Sequence, residues 1–387
     1  MWTNKTFAEL GYTYTGLSGK KKSDFGAGEP YIPYMNVFSN EKVDTDAFEY
    51  VRIGSGERQN AVMAGDALFT TSSETPQEVG MSSVLTKETE NVYLNSFCFG
   101  FRFCKPGQFF PGFLAYALRS RHIRHQMFVA AQGSTRHNLS KENFGKMTLC
   151  YPTSLEEQRR IANVLTAADE AIDASRAAMD KYMAVKQGLA QDLLGKGLRM
   201  RLIEVVEINP FRREKLPESF HYIDLESVTK GKLIKDAVVS RRQAPSRAQR
   251  LLQVNDILFQ TVRPYQQNNY FFRKERQLRS VASTGYALMR TDNNPAYIYY
   301  MLHEESFVRE VNNKSTGSNY PAINPAELEK CTVRFEPDRK EQDKIAEILA
   351  SADKRLNTEQ KQLVKLETIK RGLMDDLLTN KVSTDRL

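Results

Sequence analysis

The sequence lacks the marks of several protein classes. Its four cysteines are scattered over 387 residues without CxxC spacing, so we expect reduced thiols that pack as small apolar side chains. No stretch approaches the roughly 18 apolar residues of a membrane span, and the first residues have no apolar core of signal-peptide length. With 14 prolines and 21 glycines it is not a collagen or low-complexity sequence. These absences favour a cytoplasmic globular protein without disulfides, a zinc site or membrane contact.

Catalytic motifs are also missing. The sequence has no GxxxxGK[ST] phosphate loop, no GxGxxG after a predicted strand, and no Asn/Asp-Pro-Pro-aromatic tetrapeptide of amino-methyltransferases. His122 and His125 are flanked by arginines, which favours a helical surface pair over a metal site. Asp338 with Glu359 and Lys361 has the form of a nuclease signature, but they fall at the start and along the body of a predicted helix. The sequence therefore gives no support for a phosphate loop, methyl transfer or a nuclease site, and we expect no metal.

The charge is moderately basic. The formal net charge is +8, while 26% of residues are charged and 41% hydrophobic, and the length suits two or three domains. Most of the excess lies in residues 198–338, which hold 22 basic and 17 acidic side chains. This excess favours an anionic partner but does not identify one, because many basic proteins bind nothing acidic.

The main signal is an internal repeat. Residues 157–194 align with residues 341–378 at an offset of 184, and 14 of the 38 positions are identical without a gap. The two segments begin EQRRIANVLTAADEAI and EQDKIAEILASADKRL, and they close with GLAQDLL and GLMDDLL. The regions that precede them share few residues. The chain therefore consists of two halves with a common plan and different content.

Both repeated segments, within residues 156–197 and 339–387, are predicted to be long helices. Apolar residues fall at alternating spacings of four and three, which is typical of a coiled coil. Ser154 with Glu157, and Asp338 with Glu341, have capping-box spacing at the two starts. We expect an antiparallel intramolecular pair, although two ordinary core helices remain the alternative. The predicted seam comprises Ile161, Leu165, Ile172, Met179, Leu189, Leu193, Ile345, Leu349, Leu356, Leu363, Leu373 and Leu377.

The remaining segments, residues 1–155 and 198–338, are predicted to be mainly β domains, because short apolar stretches alternate with Gly, Pro, Asn and Ser. Each has a helix-like stretch before its end. Near the centre of each, GDALFTTSSE at residues 65–74 and NDILFQTVRP at residues 255–264 predict a turn, a buried strand and a polar loop. The expected fold class is α+β, with two mainly β domains, an antiparallel two-helix coiled coil and a pseudo-two-fold repeat.

The polar loops hold the candidate contacts to nucleic acid. Arginine, glutamine and asparagine make bidentate contacts with guanine and adenine edges, and tyrosine stacks. The first loop offers Thr71, Ser72, Ser73 and Glu74, and the second offers Arg263, Tyr265, Gln266, Gln267 and Asn268. We add the basic residues Lys20, Lys21, Lys22, Arg136, Arg241, Arg242 and Arg279, and the polar residues Asn319 and Tyr320. Solvated turns and solvated charged faces are the alternative interpretation.

Two diverged segments, each followed by a near-duplicate helix that opens with EQ-x-x-IA, resemble the specificity subunits of type I restriction-modification systems. The resemblance covers the whole chain and includes the GDALFTTS and NDILFQTV stretches. It implies two target-recognition domains that each read half of a split double-stranded DNA target, held apart by an antiparallel coiled coil. One departure is the short run before the first recognition segment, which leaves the start of that domain open.

The resemblance also implies partners. Such a subunit is not itself catalytic, and it recruits two methyltransferase subunits that bind S-adenosylmethionine, together with restriction and translocase subunits that use ATP and magnesium. No cofactor is expected in this chain. Three alternatives remain: an orphan DNA-binding adaptor of the same fold, a fused modification or nuclease enzyme, and a coiled-coil scaffold that does not bind DNA.

Overall fold

Two structural units and two long helices make up the protein. A computed structural model describes residues 1–133, 135–211 and 214–382. The first unit comprises Met1–Arg176 with Gln362–Leu387, and the second comprises Ala177–Lys361. The long helices extend over Leu155–Leu194 and Arg339–Leu377, so each helix contributes one part to each unit. No helix in the described ranges is long and apolar enough to cross a membrane.

The first unit is a mixture of short strands and helices. Its strands are β1 (Trp2–Thr6), β2 (Gly11–Thr15), β3 (Phe25–Ile32), β4 (Glu49–Val51), β5 (Ala67–Thr70), β6 (Ser72–Ser73), β7 (Ser82–Val84), β8 (Tyr93–Leu94), β9 (Cys98–Phe103), β10 (His137–Asn138) and β11 (Thr148–Pro152). Its helices are α1 (Phe7–Leu10), α2 (Tyr34–Ser39), α3 (Pro111–Ala117), α4 (Arg121–Ala130), α5 (Lys141–Lys146) and the start of α6 (Leu155–Leu194). The central sheet has the antiparallel order β2-β9-β5-β7, and a second sheet has the order β4-β3-β8.

The second unit repeats much of this arrangement. Its strands are β12 (Leu198–Arg201), β13 (Glu207–Ile208), β14 (Ser219–Ile223), β15 (Val228–Thr229), β16 (Lys232–Leu233), β17 (Ala237–Ser240), β18 (Ala248–Leu251), β19 (Ile257–Gln260), β20 (Tyr270–Phe271), β21 (Ser280–Ser283), β22 (Tyr286–Arg290) and β23 (Thr332–Phe335). Its helices are α7 (Pro295–Met301), α8 (Glu305–Lys314), α9 (Pro325–Glu329) and the start of α10 (Arg339–Leu377). The sheet β13-β22-β19-β20 corresponds to β2-β9-β5-β7, and β12-β23 corresponds to β1-β11.

The predicted central strand is buried in both units. All four residues of β5 and all four of β19 are buried. The aspartate before each strand, Asp66 or Asp256, is buried and accepts two hydrogen bonds from an arginine of the neighbouring strand, Arg102 or Arg290. A bidentate arginine compensates the buried carboxylate, which would otherwise be costly. The repeated Asp-Φ-Leu-Phe pattern therefore builds the same strand start twice.

The two long helices pack against each other inside each unit. In the first unit, Ile161 and Leu165 near the start of α6 share a core with Leu377 near the end of α10. In the second unit, Leu194 at the end of α6 shares a core with Ile345 and Leu349 near the start of α10. In each unit the start of one long helix lies beside the end of the other, which is the antiparallel arrangement that the sequence predicts.

All twelve predicted seam residues are buried or half-buried. Ile161, Leu165, Ile172, Ile345, Leu349, Leu363 and Leu377 are buried, and Met179, Leu189, Leu193, Leu356 and Leu373 are half-buried. Burial of residues three and four apart is what one apolar helix face produces.

The glutamine of each EQ-x-x-IA motif has a structural role that the sequence did not reveal. Gln158 is fully buried; it accepts a hydrogen bond from the Phe110 backbone N–H at 2.7 Å and donates to the Pro152 carbonyl at 2.9 Å. Gln342 accepts a hydrogen bond from the Asn294 backbone N–H at 3.0 Å and donates to the Glu336 carbonyl at 2.7 Å. Each glutamine thus joins a long helix to the backbone just before α3 or α7.

The recurring glycines of the helices occupy open space. A β-carbon added at Gly188 or Gly372 would meet no described atom within 4 Å. Since alanine is favoured over glycine in a helix interior by about 1 kcal/mol, Gly188→Ala and Gly372→Ala should each raise the free energy of unfolding by about that amount. Chemical denaturation of each variant measures the change. A loss of stability would show that close helix contact, rather than tolerance, explains the glycines.

Candidate nucleic-acid interface

Two loops lie side by side in the first unit, beyond the end of β5. Strand β6 pairs with β10, so that Ser72 lies opposite Asn138 and Ser73 opposite His137. The Tyr34 hydroxyl donates to the Ser72 carbonyl at 3.2 Å. Arg136 is exposed in the second of these loops. We call residues 71–74 and 135–138 the first paired-loop surface; it brings predicted residues of distant sequence position together.

The second unit has a paired-loop surface at the same place, formed by residues 261–268 and 316–322. Val262 bridges to Ala322, and the Arg263 backbone N–H donates to the Pro321 carbonyl at 2.7 Å. The Arg263 guanidinium lies 4.3 Å from the centre of the Tyr320 ring, and Tyr320 is 68% exposed. Asn319 is exposed beside it. A cation and an aromatic ring in contact at the surface are suited to bases and phosphates.

The second loop of each surface turns at an equivalent glycine. Gly133 has a φ of 123° and Gly317 a φ of 105°, values that favour glycine. A β-carbon at Gly133 would lie 2.1 Å from the Arg136 carbonyl, and one at Gly317 would lie 3.0 Å from the Tyr320 carbonyl. Arg136 and Tyr320 therefore come after the same turn in two copies, at the repeat offset of 184 residues.

A buried network holds the 261–268 loop. The Gln260 side chain donates to Gln266 Oε1 at 3.0 Å and accepts from the Asn268 backbone N–H at 3.0 Å. Asn269 Oδ1 accepts from the Gln260 backbone N–H at 2.8 Å. Gln266 is exposed although its carbonyl oxygen is engaged, and Tyr265 is 53% exposed. The network leaves Tyr265 and the Gln266 amide nitrogen at the surface.

His303 contacts this network through Asn269. Its Nε2 lies 3.2 Å from Asn269 Nδ2, and its Nδ1 lies 2.7 Å from the Tyr299 carbonyl. Nδ1–H therefore donates to the carbonyl and Nε2 accepts from the amide. Burial lowers the pKa of His303 despite its bond to the Tyr299 carbonyl, so the ring is neutral. Gln260, Asn269 and His303 could not be identified from the sequence, because buried polar residues have no periodic signal.

Several predicted basic residues already have protein partners. Lys20 is nearly buried; its Nζ lies 2.5 Å from Glu57 and donates to the Arg52 carbonyl. The hydrogen bonds from Lys20 and Gln59 lower the pKa of Glu57 to about 2.

Two predicted arginines of the second unit are also paired. Arg241 pairs with Glu218 at 2.5 Å, and Arg279 pairs with Glu214 at 3.1 Å and with Glu275 at 3.3 Å. Lys21, Lys22 and Arg242 are exposed. The DNA-binding roles of all these residues stay predictions.

A three-residue cluster ties the domain to the long helices in each unit. In the second unit, Lys186 Nζ lies 2.5 Å from Asp353, and the Tyr300 hydroxyl donates to Asp353 at 2.8 Å. In the first unit, Lys370, Asp169 and Tyr116 form the equivalent cluster. The Lys370 Nζ lies 2.5 Å from Asp169, and the Tyr116 hydroxyl donates to Asp169 at 2.7 Å. Burial and the neighbouring aspartate raise the pKa of both tyrosines, so they remain neutral donors. Each paired-loop surface is thereby carried by a domain that is bonded to the helix pair.

The described residues contain no group of three or more His, Cys, Asp or Glu side chains arranged to hold a metal ion. All four cysteines are free thiols. Within the part of the chain that the structure describes, the paired-loop surfaces gather hydroxyls, amides, tyrosine rings and arginines, together with the carboxylate of Glu74 and the imidazole of His137. Such side chains suit hydrogen bonding to base edges, and the arginines also suit phosphates.

Three solved structures from type I restriction-modification systems have a similar fold. The S subunit of a type I restriction-modification system from M. genitalium matches with a TM-score of 0.57 and 15% identity, over 97% of this chain and 96% of that one. A structure described as showing complex assembly and conformational transition of the type I R-M system matches with a TM-score of 0.64 and 14% identity, over 97% of both chains. The HsdS subunit from Thermoanaerobacter tengcongensis matches with a TM-score of 0.52 and 16% identity, over 98% and 97%.

The family comparison agrees with the duplication. The family described as type I restriction modification DNA specificity domain matches residues 2–179 and again residues 205–368. Each match includes one paired-loop surface and a large part of one long helix. The chain therefore belongs to the type I restriction modification DNA specificity family, whose domain it contains twice.

Proposed function

We propose that this chain is the DNA-specificity subunit of a type I restriction-modification complex, and that each unit reads one part of a bipartite double-stranded target. The observation that supports this most strongly is the double family match together with two equivalent paired-loop surfaces that differ in their side chains. A common scaffold with different loop residues is what two readers of different base sequences require.

The chemistry of the two surfaces differs accordingly. The first presents half-buried Ser72 near the exposed Arg136, while the Ser73 hydroxyl already donates to Glu78 at 3.4 Å. A hydroxyl group can accept from or donate to any base. The second presents Arg263 stacked on Tyr320, with Tyr265 on the same loop. The arginine fork matches the O6 and N7 acceptors of guanine. We infer that the second unit reads a half-site that contains guanine.

We further propose that catalysis belongs to other subunits. In this assignment two methyltransferase subunits bring S-adenosylmethionine, and restriction subunits use ATP and magnesium to translocate and cleave DNA. The similar structure of a type I R-M assembly supports such a partnership. This chain contributes the target sequence and the surfaces on which the other subunits assemble, and it holds no cofactor of its own.

The test is a DNA titration with and without methyltransferase subunits. Because the net charge of +8 is modest and spread over two units, the chain alone should bind a cognate duplex weakly. Addition of the methyltransferase subunits should tighten binding at least a hundredfold, and the affinity should fall steeply with salt. Fluorescence anisotropy with a labelled duplex measures both. If the chain alone binds as tightly and selectively as the mixture does, recruitment of a methyltransferase is not its role.

A further inference from the structure

A large groove lies within the second unit, between the recognition domain and the helix pair, with a volume of about 1730 Å³. The domain side is formed by the β15–β16 turn, the 265–267 part of the paired loop and residues 270–277. The helix side is formed by residues of α6 between Met183 and Leu194 and of α10 between Leu349 and Lys361. Tyr265, Gln266 and Gln267 line the groove and also belong to the second paired-loop surface, so the groove is continuous with that surface.

The groove is strongly basic, and most of its cations are available. Its acidic residues, Glu275 and Asp353, are paired with Arg279 and Lys186. Six exposed basic residues of the lining have no carboxylate within ion-pair distance among the described residues: Lys230, Lys232, Arg273, Lys274, Lys354 and Lys361. Unpaired cations converging from two sides of a groove indicate an anionic ligand with several charges.

Aromatic rings lie beneath these cations. Phe271 and Tyr299 stack with their centres 5.8 Å apart, and the Arg273 guanidinium lies 4.8 Å from the Phe271 ring. Tyr299 also packs against the neutral ring of His303. A basic rim over an aromatic floor is typical of surfaces that track a nucleic-acid strand.

The equivalent place in the first unit is occupied by the chain itself. Lys370, which corresponds to Lys186, lies 3.1 Å from Glu41 as well as 2.5 Å from Asp169. The neighbouring Lys42 donates to Thr166 at 3.0 Å and lies 5.2 Å from the centre of the Tyr116 ring. The segment at residues 41–42 therefore covers the helix pair there. In the second unit the groove leaves open the place that residues 41–42 cover in the first.

We propose that this groove binds the sugar-phosphate backbone of DNA next to the half-site that the second paired-loop surface reads. This inference rests on the proposed function, because it takes DNA as the ligand of the adjoining loop. Phosphates supply the repeated negative charge that six unpaired cations require, and the groove extends the loop without a break. The groove thus adds affinity and register, while the loop supplies base preference.

The test replaces four exposed lysines of the groove by glutamine. These are Lys232→Gln in β16, Lys274→Gln in the 270–277 segment, and Lys354→Gln and Lys361→Gln in α10. A matched control removes the same charge from exposed lysines outside the groove, with Lys105, Lys141, Lys196 and Lys340 changed to Gln. Each is assembled with methyltransferase subunits, and anisotropy is measured against salt on cognate and singly substituted duplexes. A second series replaces single phosphates of the cognate duplex by uncharged methylphosphonates.

The groove variant should bind the cognate duplex at least tenfold more weakly, and its base preference should be unchanged. Its salt slope should be lowered by about 0.9 for each phosphate that the groove no longer neutralises. The unaltered complex should bind more weakly when methylphosphonates fall in a contiguous run beside one half-site, and the groove variant should not. The control should behave as the unaltered chain in both series.

An unchanged salt slope and an unchanged methylphosphonate profile in the groove variant would overturn the groove assignment. So would a groove variant that no longer assembles with the methyltransferase in size-exclusion chromatography, because the groove would then hold an acidic protein segment. The proposed function fails in a different way: the unaltered complex would show no preference among duplexes of different sequence.

Discussion

A four-residue insertion after Ser175 should abolish binding to a target with the original spacing. Both long helices pass from one unit into the other, and Ser175 lies close to the point where α6 does so. Four added residues lengthen a helix by about 6 Å and rotate the remainder of the helix by about 40°. They also break the alternation of four and three that keeps the seam in phase. On the original target, affinity should fall roughly a thousandfold, toward non-specific binding.

Selection from a duplex library with half-sites separated by variable spacers measures the effect. The library shows whether any other spacer restores binding. A four-residue insertion after Gly107 is the control, because a β-carbon added at Gly107 would meet no described atom within 4 Å. That control should select the original spacer. If the Ser175 insertion also selects the original spacer with normal affinity, the helices do not set the distance between half-sites.

Replacement of Arg263 should alter the specificity of one half-site only. In the free protein the guanidinium stacks on Tyr320, and its Nε has no hydrogen-bond partner in the described part of the chain. Arg263→Ala should weaken binding by about 1 to 3 kcal/mol and relax the preference at one or two neighbouring positions. Arg263→Lys should keep more of the affinity than of the preference, because lysine retains the charge without the fork.

A panel of duplexes with every single substitution in both half-sites measures this result. Arg334→Ala, an exposed arginine on β23 away from both paired loops, is the matched control and should leave the whole panel unchanged. The base-reading assignment of Arg263 would have to be abandoned if its variant bound more weakly by the same factor at every position or changed preference in both half-sites.

The architecture could be predicted because its signals are local. The seam of α6 and α10 is evident from a spacing of three and four residues, and the buried strands β5 and β19 are evident from short apolar runs between a turn and a polar loop. The repeat added a second, independent example of each feature. Secondary structure and helix pairing depend on neighbours in sequence, so one sequence was enough.

The site could be predicted only in part, because its interactions join distant residues. The sequence singled out the loop that contains Arg263 and Gln266, but not the network in which Gln260 and Asn269 hold that loop above His303. The groove was missed for the same reason. Its lysines come from β16, from the 273–277 segment and from α10, segments that only the fold brings to one place.

The most direct test of two independent readers is to sequence the methylated bases in DNA from cells that express this chain with the methyltransferase subunits of its own system. If two copies of one scaffold each read a half-site, methylation should occur at a bipartite motif, with two defined parts separated by unspecified positions of constant number. In cells with the Arg263→Ala chain, one part of the motif should degenerate and the other should remain intact. A continuous motif, or degeneration of both parts together, would contradict a chain with two separate readers.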